Sequence, residues 1–140
     1  GFETYFLRQG KTKDAIEVAS RENAVIKLEE QQKNKYTGEN LIMSTMAQNA
    51  YMKESEEFAG IIQNELASRT NSKNRGVKQA GFYVLIGASM PNVLIEVGFL
   101  SNPTEEKKLK KASYRQQIAE AIYGAIFLFK QTKEKLLAKG

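Results

Sequence analysis

Apolar positions along this chain recur either every second residue or every three to four, and the changes between these two periods mark its elements. Residues 3–8, "ETYFLR", are rich in β-formers and are followed by Gly10 as a stop, which predicts an opening strand. Thr12 then caps a helix running to about Gln32, and "KNKYTG" (33–38) breaks it. A second long helix, from about Glu39 to Ser68, carries Met43, Met46 and Ala50, then Phe58, Ile62 and Leu66, at helical spacing. These side chains read as core contacts. "RTNSKNRG" (69–76) reads as a polar, basic loop and "GFYVLIG" (81–87) as a strand between glycines. After "ASMPN" comes a further strand, residues 93–97, in which four of five positions are apolar and β-prone.

The final third reads as helical. Asn102, Pro103 and Glu105 fit an N-cap, a first-turn proline and an N3 acid, and Ser113 with Gln116 repeats the capping pattern. In the longer helix that comes next, Ile118, Ile122, Ala125 and Phe129 form one apolar stripe that should pack on the sheet. The tail, "KQTKEKLLAKG", is mostly charged and should end in solvent. Strands interspersed with long helices predict a three-layer α/β arrangement, with the strand at Val93 central because both its faces are apolar.

With 140 residues, 41% hydrophobic and 26% charged, the chain has the balance of one globular domain or a large part of one. No apolar run approaches the ~20 residues that span a bilayer. The first residues, "GFETYFLRQG", lack the basic-then-apolar order of a signal peptide, so neither a membrane span nor a leader is expected. A net charge of +5 makes anionic polymers such as nucleic acid, acidic membrane surfaces or cell-wall glycan plausible partners, with solubility alone as the plainer reading. Zero cysteines exclude disulfides and thiolate metal sites. Zero histidines exclude more: by itself the chain cannot build a His-rich zinc site or a Ser-His or Cys-His triad.

One charged position breaks the apolar pattern of the strand at 93–97. Val93, Ile95 and Val97 point one way and Leu94 and Glu96 the other, so Glu96 lies near the strand's C-terminal end with Gly98 behind it. Clefts of open α/β sheets lie outside the carboxyl ends of strands. A carboxylate there either faces the cleft or pairs with a buried cation or backbone N–H groups, because unpaired burial costs several kcal/mol. Periodicity leaves both readings open.

The segment "MPNVLIEVGFLSNPTEEKKLKKASYRQQIAEAIYGAI", preceded by "GVKQAGFYVLIGAS", resembles the C-terminal half of the zinc-dependent N-acetylmuramoyl-L-alanine amidases, the Amidase 3 family. The order of Pro, apolar strand, Glu, small residue, Gly, Phe, apolar residue, Ser-Asn and acidic helix start follows no simple periodicity. "GFETYFL" is similar to the strand that follows the family's second zinc histidine. The resemblance implies a mixed sheet flanked by helices and a peptidoglycan substrate. The bond cut would join N-acetylmuramic acid to the L-alanine of the stem peptide. It also implies zinc held by two histidines and a glutamate from the N-terminal half, with the motif glutamate beside the zinc-bound water. Only that last residue falls within this chain, as Glu96, so residues 1–140 resemble the C-terminal portion of one catalytic domain, inactive alone, with the zinc ligands expected upstream of Gly1.

Glu22 raises a second expectation. Its helical neighbours Val18, Ala19, Val25 and Ile26 are all apolar, which places it on the buried stripe, whereas Glu17 has polar neighbours and reads as solvated. A buried ion pair is one reading. Beside it, "RENAVIKLEE" and residues 12–68 resemble the helical insertion of cell-division amidases, in which a helix covers the cleft and a glutamate occupies zinc's open position until an activator moves it. On that resemblance Glu22 is a candidate autoinhibitory plug. The whole implies a periplasmic or extracellular, cell-wall-associated enzyme with peptidoglycan and a protein activator as partners. The alternative is a non-catalytic peptidoglycan-binding or regulatory module of the same fold. A nucleic-acid binder has only scattered charge in its favour.

Overall fold

A computed structural model describes residues 1–8, 13–24 and 39–138. Its elements are β1 (Phe2–Leu7), α1 (Lys13–Asn23), α2 (Glu39–Arg69), β2 (Asn74–Ala80), a 3-10 turn (Tyr83–Leu85), β3 (Leu94–Glu96), α3 (Pro103–Leu109) and α4 (Ala112–Leu137). The chain is α/β, a mixed three-stranded sheet with flanking helices, in strand order β2-β1-β3. All six residues of β1 are buried, so among the described residues the opening strand is the central one. The expectation that the strand at Val93 would take that place is corrected: β3 spans three half-buried residues. β1 and β2 run parallel, since the Phe2 N–H donates to the Lys73 carbonyl at 2.9 Å and the Arg8 N–H to that of Ala80 at 3.4 Å.

The strand expected over residues 81–87 is absent, and the strand lies one segment earlier. "NRGVKQA" pairs through its backbone while most of its side chains stay exposed, so it carries no alternation to read. In "GFYVLIG" the buried residues are Phe82 and Leu85, three apart, which is the spacing of the 3-10 turn found there. The helix expected to reach Gln32 is described as far as Asn23, and the break at 33–38 lies outside the described residues. So do the side chains of Met43, Met46 and Ala50, whereas Ile62 and Leu66 are buried as expected.

The chain divides into two compact units. One comprises Gly1–Thr4, Glu57–Val77 and Ile95–Gly140. There α2 and α4 run antiparallel: Glu57 accepts from Lys133 at 2.7 Å, the Phe58 and Phe129 rings lie 4.7 Å apart, and Gly124 faces Glu65. A Cβ at Gly124 would come within 3.0 Å of Glu65 Oε2, so the glycine, unfavourable in a helix by itself, permits this approach. The buried face of α4 holds Tyr114, Ile118, Ala121 and Ala125; of the expected stripe, Ile118 and Ala125 are buried, while Ile122 and Phe129 are half-buried. Asn102 caps α3 as expected, accepting from the N–H groups of Thr104 and Glu105. Ser113 does not cap α4. That helix starts at Ala112 with Lys111 as its uncapped N-cap residue, and the Arg115 guanidinium instead donates to the carbonyls of Leu109 and Lys110, both at 2.8 Å.

The other unit comprises Tyr5–Glu56 and Lys78–Leu94. Its core is Tyr5, Leu7, Ala80, Phe82 and Leu85, with Val18 and Ala19 of α1 packed against it. Tyr5 and Phe82 meet edge to face at 5.0 Å. Asn23 fastens the end of α1 to the turn, donating to the Gly81 carbonyl at 2.8 Å and accepting from the Tyr83 N–H at 2.9 Å. No described helix is long and apolar enough to cross a membrane.

Polar groups on the buried strand β1 need partners, and Gln63 of α2 supplies them. Its amide accepts from the Thr4 hydroxyl at 2.9 Å and donates to the Phe2 carbonyl at 3.2 Å and to Asn74 Oδ1 at 2.7 Å. Removing it strands buried groups. Gln63→Ala should therefore lower unfolding free energy by about 1–3 kcal/mol in urea titration, and a loss below about 0.5 kcal/mol would show that the network contributes little.

Candidate functional site

Glu96 is the last residue of β3 and is half-buried, as its place in an apolar strand and near a strand end together require. A tight connection leads from it to α3. Gly98 has φ +153°, a conformation that residues with a Cβ rarely adopt, and a Cβ there would lie 3.2 Å from Leu109 Cδ1. Phe99 is then held at both backbone groups: its N–H donates to Glu105 Oε2 at 2.9 Å, and its carbonyl accepts from the Asn102 N–H at 3.0 Å. Its ring carries the Arg75 guanidinium 4.9 Å above the centroid.

The sequence pattern makes Glu105 the acid of a capping box, whose carboxylate reaches back to the cap residue's N–H. That N–H goes to Phe99 instead, and the carboxylate serves Phe99 and the Gly1 amino group. The hydrogen bond from the Gly1 amino group holds the Glu105 carboxyl below the usual carboxylate range. Burial opposes this, while the Phe99 N–H and the positive charges of Gly1 and Arg75 add to it. The sequence signal is the acid's position in the first turn of α3; its partners depend on tertiary structure.

Glu22 lies in the other unit and is exposed, which corrects its expected burial. Val18 and Ala19 do face the core of their unit, but Val25 and Ile26, the other half of the expected apolar surround, lie outside the described residues. Glu17 is solvated as expected and pairs with Arg21 at 3.1 Å. Both line a shallow, open hollow with Lys13, Ile16 and Ser20 that holds no half-buried carboxylate of the Glu96 kind.

A family profile described as N-acetylmuramoyl-L-alanine amidase matches residues 1–127. The N-acetylmuramoyl-L-alanine amidase LytC of Bacillus subtilis is 42% identical over 69 residues, which are 49% of this chain and 14% of that protein. AmiC of Escherichia coli, of the same description, is 37% identical over 84 residues, 60% of this chain and 20% of that one. Among solved structures, the N-acetylmuramoyl-L-alanine amidase of Clostridium difficile 630 superposes with a TM-score of 0.60 at 25% identity, covering 95% of this chain and 50% of that one. The chain thus spans about half the length of that structure and a fifth or less of these two curated relatives.

The zinc implied by the family resemblance does not fit the donors present. The sequence holds no histidine or cysteine, and among the described residues no three Asp or Glu side chains converge on a point where a cation could bind. The purified 140-residue chain should accordingly carry well under one zinc per chain by elemental analysis after dialysis; about one, retained against a weak chelator, would show that the donor assignment is wrong.

Proposed function

The chain belongs to the N-acetylmuramoyl-L-alanine amidase family, and from that premise we propose that it supplies the proton-transferring carboxylate of a peptidoglycan hydrolase. The observation that carries this reading is Glu96: a half-buried carboxylate at the end of β3, backed by a turn whose backbone is hydrogen-bonded on both sides. In hydrolysis of the amide between N-acetylmuramic acid and L-alanine, water adds to the lactyl carbonyl and the C–N bond breaks. Glu96 takes a proton from the attacking water and hands it to the departing nitrogen, leaving a carboxylate and the free amine of the stem peptide.

Zinc, with ligands from outside these 140 residues, is the proposed cofactor of the complete domain. A periplasmic or extracellular site of action follows from the substrate. A second reading, a non-catalytic peptidoglycan-binding or regulatory module, fits a sequence without histidine or cysteine in which, among the described residues, no three acidic side chains cluster. The regulatory part of the proposal concerns residues 12–68 as an insertion, with Glu22 as a plug at the metal's open position and a protein activator that displaces it in cell division. The exposure of Glu22 leaves its carboxylate available for such a contact.

In the full-length polypeptide containing this chain, Glu96→Gln should keep fold and metal content yet lose at least about a hundredfold in the rate of stem-peptide release, since Gln preserves shape and cannot take the proton. Near-normal specific activity in a destabilised variant would make Glu96 a structural ion-pair member instead. Absence of any release by the unmodified polypeptide, with binding to cell wall retained, would favour the module reading. Glu22→Ala removes a ligand while keeping helix propensity, and should raise basal dye release from labelled cell wall without an activator. If deletion of the helix also leaves basal release unchanged in a folded, metal-loaded protein, residues 12–68 are scaffold.

A further inference from the structure

We propose that Glu105 is the positioning residue for Glu96: one carboxylate on the first turn of α3 holds both the start of β1 and the turn that follows β3, and so fixes where the Glu96 carboxylate stands. This inference rests on the reading of Glu96 as the proton-transfer group. Only Val97 and Gly98 separate Glu96 from Phe99, and Gly98, with φ +153°, would leave the strand end free to swing. The freedom is removed at Phe99. Its N–H is bound to Glu105 Oε2 at 2.9 Å and its carbonyl is bound by the Asn102 N–H at 3.0 Å, so both of its backbone groups end on the N-terminus of α3. Asn102 Oδ1 in turn accepts from the N–H groups of Thr104 and Glu105, at 3.0 and 3.2 Å, which fixes the base from which Glu105 reaches.

The second carboxylate oxygen of Glu105 accepts from the amino group of Gly1 at the entrance to β1, the strand that lies beside β3 in the sheet. In a longer polypeptide the same nitrogen is an uncharged backbone N–H. One side chain thus ties the backbones of neighbouring strands together immediately behind the candidate catalytic group. Charge-assisted bonds of this kind are stronger and shorter than neutral ones. The bond from Gly1, with that from Phe99 and the nearby charge of Arg75, holds the Glu105 carboxyl below the usual carboxylate range. Gly98 belongs to the same arrangement, since a Cβ on it would come within 3.2 Å of Leu109 Cδ1 and 3.6 Å of Glu105 Oε2. A general acid/base must stand within about half an ångström of its working position, so loosening this tie acts on rate before it acts on fold.

Two measurements test this. In the 140-residue chain, amide hydrogen exchange at Phe99 reports the tie without any activity: Glu105→Ala should speed it at least about tenfold, and Glu105→Gln, whose Oε1 still accepts, should restore most of the protection. In the full-length polypeptide, Glu105→Ala should lower kcat about tenfold or more with KM within about threefold, and Glu105→Gln should recover most of the rate. Combined with Glu96→Gln, Glu105→Ala should then cost less than about threefold more, because a residue acting through Glu96 has nothing left to position. Unchanged Phe99 exchange, unchanged kcat in Glu105→Ala, or full multiplication of the two losses overturns the positioning role while leaving Glu96 catalytic. A Glu96→Gln variant with normal kcat instead removes the underlying reading. If Glu105→Ala does not fold, Glu105→Gln decides: kcat and Phe99 exchange close to those of the unmodified protein support the role, and a fall in kcat with Phe99 protection intact overturns it.

Discussion

Burial of all six residues of β1 is the constraint around which the described structure is organised. A strand buried on both faces must be covered twice, and its polar groups must be satisfied without water. The two units meet that demand with different chemistry. Around Phe2 and Thr4, the α2 side chain Gln63 supplies hydrogen bonds to a carbonyl and a hydroxyl. Around Tyr5 and Leu7, apolar contacts do the work, with Phe82 edge-on to Tyr5 and Val18 and Ala19 of α1 closing the cluster. β2 needs little from its own side chains because β1 fixes it through backbone pairing.

That difference explains which elements the sequence disclosed. α4 and the second half of α2, with Ile62 and Leu66, are legible because their apolar residues repeat at helical spacing, and the start of α3 because Asn102 and Pro103 are local signals whose meaning does not depend on the rest of the chain. β2 is not legible, because a mostly exposed strand has no periodicity to display. "GFYVLIG" misleads for the opposite reason: its residues are apolar enough for a strand, yet the core takes up Phe82 and Leu85 from one turn and leaves Val84 exposed. Ser113 and Gln116 have the right spacing for a cap, yet α4 begins one residue earlier at Ala112, and Arg115 serves the carbonyls at the end of α3.

The candidate site divides along the same line. Glu96 stands out because a carboxylate in an apolar strand violates a local rule, and violations of that kind cluster where function is carried. Glu105 violates nothing. An acid in the first turn of a helix is what the helix dipole favours, so its sequence context offers a sufficient local reason for it. Its second task emerges only when the fold brings Phe99 and Gly1 to the two oxygens. Glu22 is the reverse case, in which local context points to burial and the helix surface places it in water.

A carboxylate that must gain and lose a proton needs a setting that neither neutralises it permanently nor locks it as a charge. Glu105 shows what locking looks like: two donors and a neighbouring guanidinium hold its carboxyl below the usual carboxylate range, which suits a tie and would ruin a general acid/base. The two acids lie nine residues apart on either side of one turn. The fixed charge sits at the helix N-terminus, where the dipole also favours it.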